Sequence, residues 1–116
     1  MRTTLMFAGD VNLMNVSDPE APFVRIGDVL GSADIRFANL ECCFYEPAGK
    51  RSLGDEGFYA PRGVARALKI AGFDVVGTAN NVNYGAEAIT SSLKTLDAED
   101  VRRRLVSTVA AVGWVR

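Results

Sequence analysis

The stretch VVGTANNVNYG, residues 75–85, joins an apolar run to a polar turn, and this combination decides how the chain folds. The pair Val75 and Val76 is typical of a buried strand. Two adjacent carboxamides, Asn80 and Asn81, follow shortly after it. A carboxamide near the protein interior costs free energy unless its polar atoms are hydrogen-bonded or bind a ligand. The stretch therefore predicts a strand that ends in a turn whose polar groups need partners.

Strand-like and helix-like segments alternate along the chain. Apolar runs closed by turn residues predict strands, and apolar residues spaced three and four apart predict helices. The predicted strands span residues 3–8, 35–40 and 73–77, and the predicted helices span residues 23–30, 61–71 and 85–96. This alternation predicts an α/β layered fold with a largely parallel sheet.

The composition argues against several classes of function. With 13 basic and 14 acidic residues among 116, the net charge of −1 provides no electrostatic basis for binding nucleic acid or an anionic membrane. The length allows one small domain or a piece of a larger one. The first apolar run, residues 5–8, is too short for a signal peptide or a membrane span, so we expect a cytoplasmic protein.

The chain contains no histidine and two adjacent cysteines, Cys42 and Cys43. The absence of histidine excludes a Ser-His-Asp or Cys-His arrangement within this chain. Adjacent cysteines rarely meet the geometry of a disulfide, and these two have no further cysteine or histidine with which to complete a zinc site. Any catalysis would therefore use carboxylates, carboxamides, lysine or an oxygen-ligated metal.

Oxygen-bearing side chains stand at the ends of all three predicted strands. Asp10 follows the first strand, Asn39 and Glu41 lie at the end of the second, and Asn80 and Asn81 follow the third. Functional residues of parallel sheets gather at the carboxyl ends of the strands. Carboxylate and amide oxygens suit Mg²⁺, Mn²⁺ or Ca²⁺, so the pattern predicts a cation site formed by Asp10, Glu41 and Asn81. The alternative is that Asp10 and Asn39 cap loops, Glu41 is solvated, and the two carboxamides form an Asx turn.

The segments FAGDVNLMN (residues 7–15), SADIRFANLECCFYEP (32–47) and LKIAGFDVVGTANN (68–81) together resemble the CapA family of poly-gamma-glutamate capsule-synthesis proteins. The resemblance covers residues 4–96. It implies a partial metallophosphatase-like layered α/β/β/α sandwich with a mostly parallel sheet, whose second half is missing. It also implies a role in capsule biosynthesis, a metal-dependent hydrolase ancestry, a polyglutamate or phosphoester substrate and, as an alternative to the cytoplasm, association with the cell envelope.

The resemblance also implies roles for individual residues. It places Asp10 as a terminal metal ligand, Glu41 as a bridging acid and Asn81 as the metal-ligating carboxamide, while Asn80 fixes the turn. The chain departs from the family at Val82, where the motif has a histidine that is the natural proton donor. We therefore expect Mn²⁺ or Mg²⁺ to bind weakly at best, and no catalytic residue is assigned.

Residues 97–116 contain no family motif. The positions of Val101, Leu105, Val109 and Val112 predict a helix there. Residues 1–96 are then the N-terminal portion of a CapA-like domain, and 97–116 are a divergent C-terminal tail. A sandwich that lacks one sheet leaves an apolar sheet face uncovered. We therefore expect one of three outcomes: a marginally stable chain, a homodimer that covers this face, or a final helix that packs across the sheet.

Two other functions stay open. A non-catalytic remnant or binding module would keep the α/β fold without a complete metal centre. A nucleotide-binding α/β domain is a weaker alternative, because no glycine-rich phosphate loop follows the first strand, where Gly9 stands alone before Asp10.

Overall fold

The computed structural model describes residues 1–49 and 57–104, which contain six strands and three α-helices. The strands are β1 (Leu5–Val11), β2 (Ile35–Leu40), β3 (Cys43–Phe44), β4 (Tyr59–Ala60), β5 (Val75–Gly77) and β6 (Arg102–Arg104), and the helices are α1 (Gly27–Gly31), α2 (Arg66–Ile70) and α3 (Ala86–Ala98). Single 3-10 turns at Val24–Ile26 and Arg62–Ala65 lead into α1 and α2, where the sequence predicts continuous helices. None of these helices is long and apolar enough to cross a membrane.

Four strands form one parallel sheet in the spatial order β1-β2-β5-β6. Parallel neighbours require crossover connections, and α1, α2 and α3 lie in the segments that join successive strands of this sheet. The three predicted strands therefore lie side by side, and the predicted α/β fold with a mostly parallel sheet is confirmed.

The predicted end of the first strand at residue 8 is wrong, because β1 continues to Val11. Phe7 pairs with Phe37, whereas Asp10 pairs with Asn39, so one extra residue is accommodated between these two pairs. Such a β-bulge bends a strand without ending it. Asp10 consequently belongs to the strand rather than to a turn that follows it.

The tail of the chain departs from its predicted helix. Helix α3 ends at Ala98, and Asp100 adopts a φ of 56°, which reverses the chain. Arg102–Arg104 then forms strand β6, which pairs in parallel with β5 and so covers an edge that would otherwise leave backbone groups unpaired. Residues 105–116, which contain the rest of the predicted helical stripe, lie outside the described residues, and the division of the chain near residue 96 stays a prediction.

Strands β3 and β4 form a separate two-stranded parallel sheet that the sequence pattern does not predict. Each has only two residues, so neither shows the period of two that marks a strand. Helix α3 packs on β3, where the hydroxyl oxygen of Ser92 accepts a hydrogen bond of 3.2 Å from the backbone N–H of Phe44. This contact joins the small sheet to the main body of the fold.

The core lies on one face of the four-stranded sheet. Ala38 and Val76 point into it from β2 and β5, and the helices contribute Leu30, Leu68 and Leu96, all of them buried. Neighbouring residues in register lie on the same face of a sheet, and successive residues alternate between faces. The opposite face therefore carries the odd-numbered residues of β2 and β5, and it is not covered by these helices.

Arg36, in the middle of β2, ties the ends of two helical segments to the sheet. Its guanidinium donates hydrogen bonds of 2.6 Å to the carbonyl oxygens of Leu30, Ala33 and Gly72, and it lies 3.4 Å from a carboxylate oxygen of Asp74. The last carbonyl groups of a helix have no partner within the helix. Arg36 supplies partners at the end of α1 and after α2.

A candidate site at the carboxyl edge of the sheet

The structure brings Asp10 and Glu41 together through the side chain of Asn39. The Nδ2 atom of Asn39 donates hydrogen bonds of 2.8 Å to Oδ1 of Asp10 and of 2.8 Å to Oε1 of Glu41. Both carboxylates are therefore within hydrogen-bond reach of one nitrogen atom. Asp10 is exposed, whereas Asn39 and Glu41 are half-buried, so the cluster opens to solvent on the side of Asp10.

The β-bulge in β1 is what places Asp10 beside Asn39. If the register of Phe7 with Phe37 continued unchanged, Asp10 would lie opposite Leu40, whose side chain is fully buried in the core. A shift of one residue moves a side chain to the other face of a sheet. The bulge makes this shift, so the carboxylate of Asp10 lies on the same face as the carboxamide of Asn39.

Asn80 holds the position of Asn39. Its Nδ2 atom donates to Oδ1 of Asn39 at 3.0 Å and to the carbonyl oxygen of Leu40 at 2.8 Å. Its Oδ1 atom accepts hydrogen bonds of 3.2 Å from the backbone N–H groups of Val82 and Asn83. These last bonds are those of an Asx turn, so Asn80 both fixes the turn and orients the residue that bridges the two carboxylates.

Asn81 and Val82 differ from Asn80 in their surroundings. Asn81 is exposed, and its side chain makes no hydrogen bond within residues 1–49 and 57–104. It therefore does not join the hydrogen-bonded cluster, and its role as a metal ligand stays a prediction. Val82 is half-buried, its side chain is apolar, and its backbone N–H donates a hydrogen bond to Oδ1 of Asn80.

Asn83 is a structural residue that the sequence analysis missed. Its Nδ2 atom donates to the carbonyl oxygens of Leu40 at 2.7 Å and of Thr78 at 3.1 Å, and its Oδ1 atom accepts a hydrogen bond from Sγ of Cys43 at 3.5 Å. Two carboxamides, those of Asn80 and Asn83, thus share the carbonyl group at the end of β2. The signal available in the sequence is the repeated asparagine after a buried strand.

The donor set of the cluster fits a hard cation better than zinc. It consists of carboxylate and carboxamide oxygens, which suit Mg²⁺ or Mn²⁺, and the exposed side of Asp10 leaves room for water ligands. The described residues contain no group of three His, Cys, Asp or Glu side chains that could hold a metal ion. A metal ion held by Asp10 and Glu41 therefore stays a prediction, and it would take its remaining ligands from water, carboxamides or a bound substrate.

The two cysteines are not nucleophiles of this site. Burial raises the pKa of the Cys42 thiol to about 12 and that of Cys43 to about 11. The thiolate is the reactive form, and at neutral pH both side chains are thiols within the core. Both side chains are buried and pack in the core.

A second concave surface lies away from this cluster, between α3 and the 3-10 turn at Arg62. The groove has a volume of about 920 Å³ and is lined by Tyr45, Glu87 and Lys94, among others. The hydroxyl of Tyr45 donates a hydrogen bond of 2.8 Å to Glu87, which raises the pKa of Tyr45. The groove shares no lining residue with the cluster of Asp10, Asn39 and Glu41.

Comparison with known proteins adds one finding to this geometry. A family model described as "Bacterial capsule synthesis protein PGA_cap" matches residues 4–103, which is most of the chain. The matched segment contains Asp10, Asn39, Glu41 and Asn80. No curated protein matches the chain.

Proposed function

Because the chain belongs to the bacterial capsule synthesis protein family PGA_cap, we propose that it acts in capsule synthesis by binding an anionic group at the cluster of Asp10, Asn39 and Glu41. The observation that supports this site is the shared carboxamide that holds two carboxylates together at the carboxyl edge of a parallel sheet. The anionic group is a carboxylate of polyglutamate or a phosphoester. The family membership also favours association with the cell envelope over the cytoplasm.

Binding of an anion beside two carboxylates requires a cation that offsets their negative charge. We propose that Mn²⁺ or Mg²⁺ is held by Asp10 and Glu41, with Asn81 as a third ligand. A divalent ion in such a site attracts and polarises a carboxylate or phosphoester oxygen. Asn39 orients both carboxylates, and Asn80 in turn holds Asn39.

The proposed function is binding without turnover by this chain. The sequence provides no histidine, and Val82 stands where the family motif has its proton donor. General acid or base catalysis typically contributes a factor of about 10²–10⁴ to a rate. Two carboxylates also fall short of the ligands that hold two metal ions about 3.5–4 Å apart in two-metal sites. These features favour a non-catalytic binding module over a hydrolase.

Titration of the chain with Mn²⁺ tests the proposed site. We expect weak binding, with a dissociation constant of about 1 mM, because waters would complete the coordination shell. Asp10→Asn and Glu41→Gln should each weaken binding by about tenfold or more, since each removes a charged ligand. The matched control is Asp28→Asn, which changes an exposed carboxylate on α1.

Assay of the same proteins with a chromogenic phosphodiester and Mn²⁺ should show no appreciable turnover. Robust turnover that is abolished by Asp10→Ala and Glu41→Ala would contradict the proposal of binding without catalysis. Mn²⁺ affinity that is the same in Asp10→Asn, Asp28→Asn and the unmodified chain would contradict the assignment of the site.

The role in capsule synthesis has its own test in the bacterium that encodes the chain. Deletion of the gene should lower the amount of surface polymer, and the unmodified gene should restore it. The Asp10→Asn gene should restore less polymer than the Asp28→Asn gene, because only Asp10 belongs to the cluster. Surface polymer that is unchanged by the deletion would contradict the proposed function, while the Mn²⁺ titration would still report on the site.

A further inference from the structure

A chain of hydrogen bonds runs from the turn after β5 to the two carboxylates of the cluster. Two backbone N–H groups of the turn donate to Oδ1 of Asn80, at 3.2 Å each. The Nδ2 atom of Asn80 donates to Oδ1 of Asn39 at 3.0 Å. The Nδ2 atom of Asn39 in turn donates to Asp10 and Glu41, at 2.8 Å each. We call these bonds, which connect the turn, Asn80, Asn39 and the two carboxylates, the relay.

The relay has one direction, because each of its ends forms hydrogen bonds in only one way. A backbone N–H group can only donate, and an ionised carboxylate can only accept. A carboxamide has an oxygen that accepts and an NH₂ group that donates, so both carboxamides point the oxygen toward the turn and the NH₂ group toward the carboxylates. The side chain of Asn39 therefore presents donors, and not its oxygen, to the cluster.

This orientation prevents the oxygen of Asn39 from being a cation ligand in the cluster. Its carboxamide would have to rotate until Oδ1 faced Asp10 and Glu41, and its NH₂ group would then face the NH₂ group of Asn80. Two donors form no hydrogen bond, and rotation of Asn80 as well would place its NH₂ group against the two backbone N–H groups of the turn. Asn39 can therefore offer its oxygen to an ion only if the relay is broken.

We propose that Asn80 determines, through Asn39, how tightly the cluster holds a divalent cation. While the relay is intact, two charge-assisted hydrogen bonds from Asn39 compete with the ion for oxygens of Asp10 and Glu41, and the ion has one oxygen ligand fewer. Asn80 is thus a positioning residue that acts through another side chain. The proposal rests on the cation site of the proposed function, and it uses only groups of β1, β2, Glu41 and the turn after β5.

Asn80→Asp changes the relay at a single atom, because it replaces the NH₂ group of Asn80 by an oxygen. The new carboxylate still accepts the two hydrogen bonds of the turn, but it opposes the oxygen of Asn39. An ion at Asp10 and Glu41 resolves this conflict, since Asn39 can then rotate, donate to the new carboxylate and offer its oxygen to the ion. We expect calorimetric titration of the 116-residue chain with Mn²⁺ to show an affinity raised about tenfold. A merely structural role for Asn80 would leave the affinity unchanged or lower it.

Asn12→Asp is the matched control for the added negative charge. Asn12 is exposed and lies two residues after Asp10, and its side chain bonds to Met14 rather than to the relay. A carboxylate at this position can still accept the hydrogen bond of 2.9 Å from the backbone N–H of Met14. The Mn²⁺ affinity should stay within about threefold of the unmodified value, because water and salt screen an exposed charge. An increase as large as that of Asn80→Asp would overturn the proposal, and so would an unchanged affinity in Asn80→Asp.

Hydrogen exchange of the side-chain NH₂ groups, followed by NMR, tests the relay without metal and in the unmodified chain. The NH₂ hydrogens of Asn39 should exchange at least about tenfold more slowly than those of the exposed Asn81, because both are held by carboxylates. The signal that disappears in Asn39→Asp identifies them. Equal exchange rates would overturn the relay even if Mn²⁺ binds. A Mn²⁺ affinity that Asp10→Asn leaves unchanged would overturn the cation site, while the exchange rates would still report on the relay.

Discussion

Replacement of Arg36 by alanine should lower the free energy of unfolding by about 4 kcal/mol, because three backbone carbonyl groups lose a charged partner at once. A hydrogen bond to a charged group contributes about 1.5–3 kcal/mol, and the carbonyl groups of Leu30, Ala33 and Gly72 all accept from this one guanidinium. The Arg36 side chain is only 18% exposed, so water replaces these bonds incompletely. Urea unfolding followed by circular dichroism measures the loss.

Two further variants separate the geometry of Arg36 from its charge. Arg36→Lys keeps the charge, but an ammonium group cannot donate to three carbonyl groups in the directions of a planar guanidinium, so it should recover less than half of the loss. Arg62→Ala is the matched control. Arg62 is 63% exposed and pairs with Glu46 at 3.5 Å, and loss of such a surface pair should cost less than about 1 kcal/mol. Equal effects of Arg36→Ala and Arg62→Ala would contradict the role of Arg36.

The parts of the fold that the sequence predicts are those with a strong local signal. The strands β2 and β5 and the helix α3 carry apolar runs or helical spacing of sufficient length, and the structure has them close to their predicted positions. Strands β3 and β4 have only two residues each, and β6 consists of three arginines without an apolar residue, so the existence of these strands depends on pairing partners distant in the sequence. The role of Arg36 could not be predicted for the same reason, because the three carbonyl groups that accept its hydrogen bonds come from other segments of the chain.

The sequence predicts the location of the candidate site, but it does not predict the hydrogen bonds that join its residues. Polar residues at the ends of parallel strands predict that Asp10 and Glu41 approach the same edge. Their link through Asn39 depends on the bulge in β1, and a bulge of one residue leaves no clear pattern in the sequence. Residue type alone does not distinguish Asn80 from Asn81. The family resemblance implies that Asn80 fixes the turn, and the hydrogen bonds of its side chain show this difference from Asn81.

That difference leads to the second large expected effect: Asn80→Ala should lower the free energy of unfolding by about 3 kcal/mol. The substitution removes four hydrogen bonds, two donated by Nδ2 to Asn39 and Leu40 and two accepted by Oδ1 from Val82 and Asn83. Leu40 keeps a partner in Asn83, but the backbone N–H groups of the turn and Oδ1 of Asn39 do not. An unsatisfied group that is partly buried costs about 1–3 kcal/mol, which sets the size of the effect.

Asn81→Ala is the matched control for this prediction, because it makes the same chemical change one residue later. Asn81 is exposed and its side chain makes no hydrogen bond to the described residues, so its loss should change the free energy of unfolding by less than about 0.5 kcal/mol. Asn80→Asp keeps the acceptor for the two backbone N–H groups and should recover about half of the loss. Urea unfolding of the three variants distinguishes the outcomes. If Asn80→Ala and Asn81→Ala were equally stable, the carboxamide of Asn80 would not hold the turn, and the bridge between Asp10 and Glu41 would depend on Asn39 alone.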